Sequence, residues 1–467
     1  MVGAKGSRIE TAMAAIRARA AARSLPGGER LPSIRRLAET LGLSPSTVAE
    51  AYERLVAEGF VRARPGAGYY LAGRSPRPLA LGQAASPREQ AVDPFWVSRQ
   101  SLDAGKETLK PGCGWLPAEW MPGEALRRGL RRLARAGDTV LADYGNTRGS
   151  VALRALLLAR FAEEGLAVAP EQLTLTGSGT QAVDLVCRLL LRPGDAVLVD
   201  DPCYFNFQAL LRAHRLRVVS VPYTPTGPDL AAFAAAVETE RPRLYLTNSA
   251  LHNPTGATLS PQAAHRVLGI AAAHDMMIVE DEIFADFEPE PSARMATLDG
   301  LERVIRIGSF SKTLSASVRC GYIAARADLA EQLVDLQIAT SFGGPSPVAA
   351  SLVEDLLAGG GYRKHLQEVR RRLVQARHEA AGRLEALGIR PWLMPRGGFY
   401  LWCRLPDGVD SAELSRLALG EGVVLAPGNV FSAAQSAAGF MRFNVAQMQD
   451  RRIDAALDRM LRKSLAA

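Results

Sequence analysis

Lysine is nearly absent from this chain. Among 467 residues there are six, Lys5, Lys106, Lys110, Lys312, Lys364 and Lys463, against 50 arginines. Chemistry that needs a primary amine therefore has few places to occur. Cysteine is also sparse: Cys113, Cys187, Cys203, Cys320 and Cys403 are scattered, odd in number and form no C-x-x-C pair. That argues against a disulfide framework and a zinc site, and fits a reducing compartment. No stretch approaches the ~20 uninterrupted apolar residues of a membrane span. The N-terminus, MVGAKGSRIETAM, lacks the apolar centre of a secretory signal. The expectation is a cytoplasmic protein with no membrane partner and no metal.

Acidic residues are scarce at one end only. Residues 1–80 carry 13 Lys+Arg against 6 Asp+Glu, whereas the other 387 residues carry 43 against 42. A near-neutral protein thus carries a basic head, which points to an anionic partner such as nucleic acid. Apolar residues at 48% and charged residues at 22% describe a globular chain rather than a disordered one. The length leaves room for two or three domains of ~100–200 residues.

Three helices and a hairpin are predicted in the head. Ile9, Met13, Ile16 and Ala20 recur at helical spacing over 8–24, and Ile34, Leu37, Ala38 and Leu41 repeat the pattern before Gly42. Ser44 is a good N-cap with Pro45 at the first helical position, so a third helix runs over 45–58. Residues 60–71 then read as two short strands around a Gly/Pro turn. Two helices joined by a short turn and followed by a β wing make a winged helix-turn-helix. The DNA-facing candidates are Ser44, Ser46 and Thr47 on the third helix, Arg35 and Arg36 on the preceding one, and Arg62 and Arg64 on the wing.

Residues 73–108 show no sustained period and read as a linker. From about 109, helical stretches alternate with the apolar runs QLTLT (172–176), AVLVD (196–200), LRVVSV (216–221), LYLTN (244–248), MMIVED (276–281) and VIRIGS (304–309). This is the βαβ pattern of a mainly parallel sheet covered by helices. A smaller α+β part follows, with 109–149 and 346–467 expected to form it and about 150–345 to form the large part.

Lys312 sits in SFSKTL (309–314), in a Ser-rich turn just past an apolar run, where an amine can form a Schiff base with an aldehyde. TLTGSGTQAVDLV (174–186) supplies a strand, a Gly-rich turn and a helix start at Ser178, Gly179 and Thr180, which suits a phosphate. Ser309 and Arg319 can add to that anion site. Asp281 at the end of MMIVED can hold a protonated ring nitrogen. Asn253 in HNPTG (252–256) can donate to a ring oxygen, and Tyr204 in DDPCYF can stack on a ring.

The head, LPSIRRLAETLGLSPSTVAEAYERLVAEGFVRARPGAGYYL, resembles the DNA-binding domain of the GntR family. It carries Leu31 to Arg35, Ser44 to Val48, Ala51 to Leu55 and Gly66 to Gly68 of the family motif. Pro45 departs from that motif, which often has Arg there as a phosphate or base contact. The body, over about 109–447, resembles a fold type I pyridoxal-phosphate aminotransferase. That resemblance implies Lys312 as the Schiff-base lysine, Asp281 as the nitrogen partner and Asn253 as the ring-oxygen donor. It also implies phosphate contacts from Ser309, Arg319 and 178–180, Tyr144 reaching a neighbouring subunit's phosphate, and Arg442 gripping an α-carboxylate. The family usually has Tyr where this chain has Phe284, a loss of one hydrogen bond on the order of 1 kcal/mol. Together with GCGWLP (112–117) and APGNVF (426–431), the two halves resemble the MocR subgroup of regulators. Membership implies double-stranded DNA as a partner, a small amino compound as effector and a head-to-tail homodimer. Two readings stay open: a regulator whose body senses an amino compound, and an active aminotransferase with a secondary head.

Overall fold

The computed structural model describes residues 8–22, 29–64, 66–72, 92, 94–105 and 107–466. The chain divides into two compact units, Met1–Glu89 and Gln90–Ala467.

In the first unit, helices α1 (Arg8–Ala22), α2 (Ile34–Leu41) and α3 (Pro45–Ala57) precede an antiparallel pair, β1 (Val61–Arg64) and β2 (Gly68–Leu71). Each boundary has a local cause. Ser33 caps α2 by accepting from the Arg36 N–H, and Gly42 ends it in the left-handed region at φ 63°. Ser44 caps α3 by accepting from the Thr47 N–H at 3.2 Å, and Pro45 opens the helix. Ile16, Val48, Ala51, Tyr52, Leu55 and Val61 form the core. The Tyr52 ring stacks on Tyr69 at 4.2 Å, and its hydroxyl donates to the Pro32 carbonyl at 2.7 Å.

The second unit is built on eight strands: β3 (Leu173–Thr176), β4 (Ala196–Asp201), β5 (Arg217–Thr224), β6 (Gly227–Pro228), β7 (Leu244–Thr247), β8 (Met277–Asp281), β9 (Val304–Ser309) and β10 (Gly321–Ala324). Their order is β3-β10-β9-β8-β7-β4-β5-β6. Strands β9, β8, β7, β4 and β5 run parallel, while β10 is antiparallel to both neighbours. Each of the six apolar runs forms a strand. The four-residue β10 gave no comparable run and was not expected. A second sheet, β11 (Arg390–Pro391), β12 (Tyr400–Arg404), β13 (Ala426–Pro427) and β14 (Phe440–Asn444), has the order β11-β12-β14-β13.

Two expectations differ from the structure. Of the linker over 73–108, residues 73–91, 93 and 106 lie outside the described residues. Its end includes a helix, α4 (Pro94–Asp103), with Val97 packed beside Phe205 and Phe431. Its apolar residues bunch at Phe95, Trp96 and Val97 with none again before Leu102, so no i, i+3, i+4 recurrence marks the helix. The small part also begins later than residue 346. Ala350, Val353, Leu356, Tyr362 and Leu366 pack in the core of the large sheet. The second core takes over at Val369, within the helix Gly361–Ala386. One long helix therefore serves both cores. Among the described residues, no helix is long and apolar enough to cross a membrane, and no His/Cys/Asp/Glu group is placed to hold a metal ion.

The head's core is small enough to be tested by one truncation. Leu55 is fully buried, so Leu55→Ala should cost about 2–5 kcal/mol. Hydrogen exchange should then lose protection over 8–72 and keep it over 173–324.

Candidate functional site

Two surfaces concentrate the sequence candidates. On the head, Arg35, Arg36, Arg62 and Arg64 are all exposed. Among the described residues no carboxylate pairs with Arg35, Arg36 or Arg62, and the Arg64 guanidinium lies 4.6 Å from the Tyr70 ring centre. Free guanidinium groups on an exposed helix and wing suit phosphate contacts. The serines are more committed. The Ser44 hydroxyl bonds Ser46 Oγ at 2.9 Å and Thr47 Oγ1 at 2.7 Å besides capping α3, so Ser44 first organises the helix start.

In the body, the candidates converge where strands end. Ser178 follows β3, Tyr204 follows β4, Asn253 follows β7, Asp281 ends β8 and Lys312 follows β9. Ligands in open α/β sheets sit at these carboxyl ends. Ser178, Gly179, Thr180, Tyr204, Asn253, Asp281, Ser309, Lys312, Arg319 and Arg442 all line one cavity of about 330 Å³. Tyr144 does not join them: it is 77% exposed and its ring lies 4.9 Å from that of Phe342.

Each group is held by identifiable bonds. The Ser178 hydroxyl accepts from the Gln181 N–H at 3.0 Å, which starts the helix Gly179–Leu190 with its first N–H groups at the cavity. Ser309 Oγ bonds Ser311 Oγ at 2.9 Å and donates to the Cys320 carbonyl at 3.1 Å. Arg319 lines the cavity with no carboxylate partner among the described residues. Arg442 is 1% exposed; it donates to Asn253 Oδ1 at 2.9 Å and to the Gly112 carbonyl at 2.8 Å. Its Nε is buried with no hydrogen-bond partner among the described residues. Because Asn253 Oδ1 accepts from Arg442, its Nδ2 is left as a donor. Behind Asn253, the Asp200 carboxylate accepts from Tyr245 and Thr247, both at 2.6 Å, and His252 Nε2 lies 3.3 Å from it.

The electrostatics are unbalanced toward cations. Burial, joined by the nearby Arg442 charge, pushes the Lys312 ammonium down to about 8. Its Nζ donates to the Gly114 carbonyl at 2.7 Å. Burial also lifts the Asp281 carboxyl to about 6, against a hydrogen bond from the Ile283 N–H. The next residue, Glu282, is fixed by Arg294 at 3.1 Å and Arg306 at 2.6 Å. That buried network clamps the end of β8 and so the position of Asp281. The arrangement offers a nucleophilic amine, a carboxylate, a helix start and two guanidinium groups around one space.

Sequence reasoning missed several wall residues. Val97, Ser98, Ser101 and Leu102 of α4, Trp115, and Tyr400 of β12 all face the cavity. Phe284 is buried edge-to-face against Tyr400 at 5.4 Å. Tyr400 lies in GGFYL, an apolar strand that reads only as core, and its approach to Lys312 is visible only in three dimensions.

Comparison with known proteins agrees with both halves. Residues 120–460 match the profile of aminotransferase class I and II, and residues 8–71 match that of bacterial regulatory proteins of the gntR family. The HTH-type transcriptional regulator YdcR of Escherichia coli is 29% identical over 450 residues, 93% of this chain and 94% of that protein. A 2-aminoadipate transaminase of Thermus thermophilus is 31% identical over 357 residues, 73% of this chain and 88% of the enzyme. Among solved structures, LysN, the alpha-aminoadipate aminotransferase of Thermus thermophilus complexed with N-(5'-phosphopyridoxyl)-L-leucine, superposes with a TM-score of 0.72 at 28% identity. That match covers 79% of this chain and 95% of LysN. The chain belongs to the class I and II aminotransferase family, in the MocR arrangement that sets a gntR-type DNA-binding head before a fold type I body.

Proposed function

We propose that this protein is a DNA-binding transcription regulator whose body holds pyridoxal 5'-phosphate on Lys312 and reads an amino acid. The observation that carries this reading is the gathering of Lys312, Asp281 and Arg442 in one cavity of a chain that also carries a basic helix-turn-helix head. The residues present fit the cofactor. The N–H groups of Gly179 and Thr180, the hydroxyls of Ser178 and Ser309 and the unpaired Arg319 guanidinium would hold its phosphate. Asp281 would hold the ring nitrogen, Asn253 Nδ2 the ring oxygen, and Tyr204 a ring face. When bound, the cofactor supplies an aldehyde that condenses with a primary amine and a ring that draws electrons from it.

The chain's own residues set the remaining steps. Lys312 would meet the aldehyde as a free amine, which its depressed pKa makes available to roughly a tenth at pH 7 rather than a few parts in about ten thousand. Asp281 would hold a proton at the ring nitrogen. The orphaned Nε of Arg442 offers an unused donor to an incoming carboxylate. Phe284 packs as hydrocarbon and gives no hydroxyl to the ring, which favours sensing over turnover. Tyr144 stands exposed beside Phe342, which is also exposed, and this supports a head-to-tail homodimer in which Tyr144 reaches the neighbouring subunit's phosphate.

The second reading, an amino-acid aminotransferase with a secondary head, draws on the identity to 2-aminoadipate transaminase. Single-turnover conversion of the bound cofactor to its amine form by an amino acid would favour it, and no conversion across a panel would remove it.

Lys312→Ala should abolish the visible absorbance of the lysine-bound cofactor without changing circular dichroism; a retained band contradicts the assignment. The linkage sign is set by the free amine, which exists above the pKa. Cofactor uptake by the apoprotein should therefore speed up to about pH 8 and then level, whereas an ordinary lysine would keep gaining to about 10.4. For the head, Arg35→Ala should weaken duplex binding and flatten its salt slope by about one, with the cofactor absorbance untouched. An unchanged slope would take Arg35 out of the interface.

A further inference from the structure

We propose that Tyr362 is a positioning residue for Lys312, acting through Thr313 at one end of a chain of bonded side chains whose other end fixes Asp281. This rests on the reading of the cavity as a pyridoxal phosphate site. Thr313 follows Lys312 in the turn and is 1% exposed. It is held twice by one face of the helix Gly361–Ala386. The Tyr362 and Thr313 hydroxyls lie 2.9 Å apart, and His365 Nε2 donates to the Thr313 carbonyl at 2.8 Å. Residues at i and i+3 share a helix face, so the two contacts act on the turn together.

The charge states around Tyr362 fix the direction of its bonds. Its hydroxyl also meets the Asp286 carboxylate. Burial pushes the Asp286 carboxyl up, but the Arg160 charge and the bonds from Arg160 and Tyr362 bring it below the usual carboxylate range. Burial and the Asp286 charge push the Tyr362 phenol well above its usual value. Asp286 is therefore an ionised acceptor and Tyr362 a donor. A phenol has one proton, so Tyr362 gives it to Asp286, and the Thr313 hydroxyl donates to Tyr362 Oη.

From Asp286 the chain runs on to the strand that carries Asp281. Arg160 binds Asp286 and, through its Nε, Glu164 at 3.2 Å. Arg306 then binds Glu164 at 2.5 Å and Glu282 at 2.6 Å. Glu282 follows Asp281. The neighbours of the amine and of the ring-nitrogen carboxylate are thus joined through Tyr362, Asp286, Arg160, Glu164 and Arg306, all within one subunit. The amine and the carboxylate would act at opposite ends of one rigid ring, so their separation has to match it. Misplacing a reacting group by ~1 Å costs up to about a hundredfold in rate.

Two forms of the cofactor separate positioning from packing. Pyridoxal 5'-phosphate carries the aldehyde that Lys312 attacks; pyridoxamine 5'-phosphate carries an amine there and uses only the rest of the site. In Tyr362→Phe, stopped-flow absorbance of the full-length apoprotein should show pyridoxal 5'-phosphate taken up onto Lys312 about tenfold more slowly. Calorimetry should show pyridoxamine 5'-phosphate bound as before, because Glu282 keeps both Arg294 and Arg306 and so holds Asp281. Thr313→Val should reproduce the slow uptake, and Thr313→Ser, which keeps the hydroxyl, should retain the wild-type rate. The double variant Tyr362→Phe/Thr313→Val should be no slower than either single one. Equal losses with both cofactor forms would make Tyr362 a packing residue, and an unchanged rate would remove it from the site. No loss in Thr313→Val, an equal loss in Thr313→Ser, or additive losses in the double variant would break the path through Thr313. Each of these overturns the proposal, whereas a wild-type protein on which pyridoxal 5'-phosphate raises no visible band overturns the cofactor assignment beneath it.

Discussion

Three cationic side chains face one carboxylate in a cavity of about 330 Å³, and that imbalance governs the body. Uncompensated charge in a low-dielectric space is costly, so each group relieves it differently. Lys312 does so by giving up its proton more readily. Arg442 is held by the oxygens of Asn253 and Gly112 but keeps one buried N–H unspent. Arg319 stands at the cavity with no carboxylate partner among the described residues. A ligand that brings a phosphate and a carboxylate supplies the missing negative charge, which is why the fold and the proposed cofactor suit each other.

The scaffold turns that electrostatic demand into geometry. Five strands deliver their functional residues at the same sheet edge. The most strictly placed is Asp281, because the following Glu282 is pinned between Arg294 and Arg306. Breaking such a buried pair strands a charge, at roughly 3–5 kcal/mol, so the strand end has little freedom to drift. Behind the opposite wall, Asp200 ties Tyr245, Thr247 and His252 into one network and steadies the turn that presents Asn253. The head follows a simpler logic, with no carboxylate among the described residues paired to Arg35, Arg36 or Arg62.

Much of the site was legible because each chemical group sits in a short local signature at a strand end: a Ser-Lys turn, an Asn-Pro-Thr-Gly turn, a Gly-rich helix start. Local signatures survive in one dimension. Tyr400 and the wall of α4 did not, because their roles arise from contacts across more than 80 residues of chain and from a helix whose apolar residues do not recur at helical spacing. The scarcity of lysine was informative in retrospect for a physical reason. Arginine stays charged when buried, so a site that needs a neutral amine must keep a lysine. The division of the body was misplaced because the helix Gly361–Ala386 serves two cores and carries no punctuation between them.

On the proposed function, an amino acid bound in the body changes what the head does. Fluorescence anisotropy of the cofactor-loaded protein on a duplex from upstream of its own gene, with and without saturating L-leucine, tests it most directly. Kd should change by at least about fivefold, and the change should vanish in Lys312→Ala. An identical Kd in both conditions, from a protein that demonstrably binds both cofactor and amino acid, would contradict it.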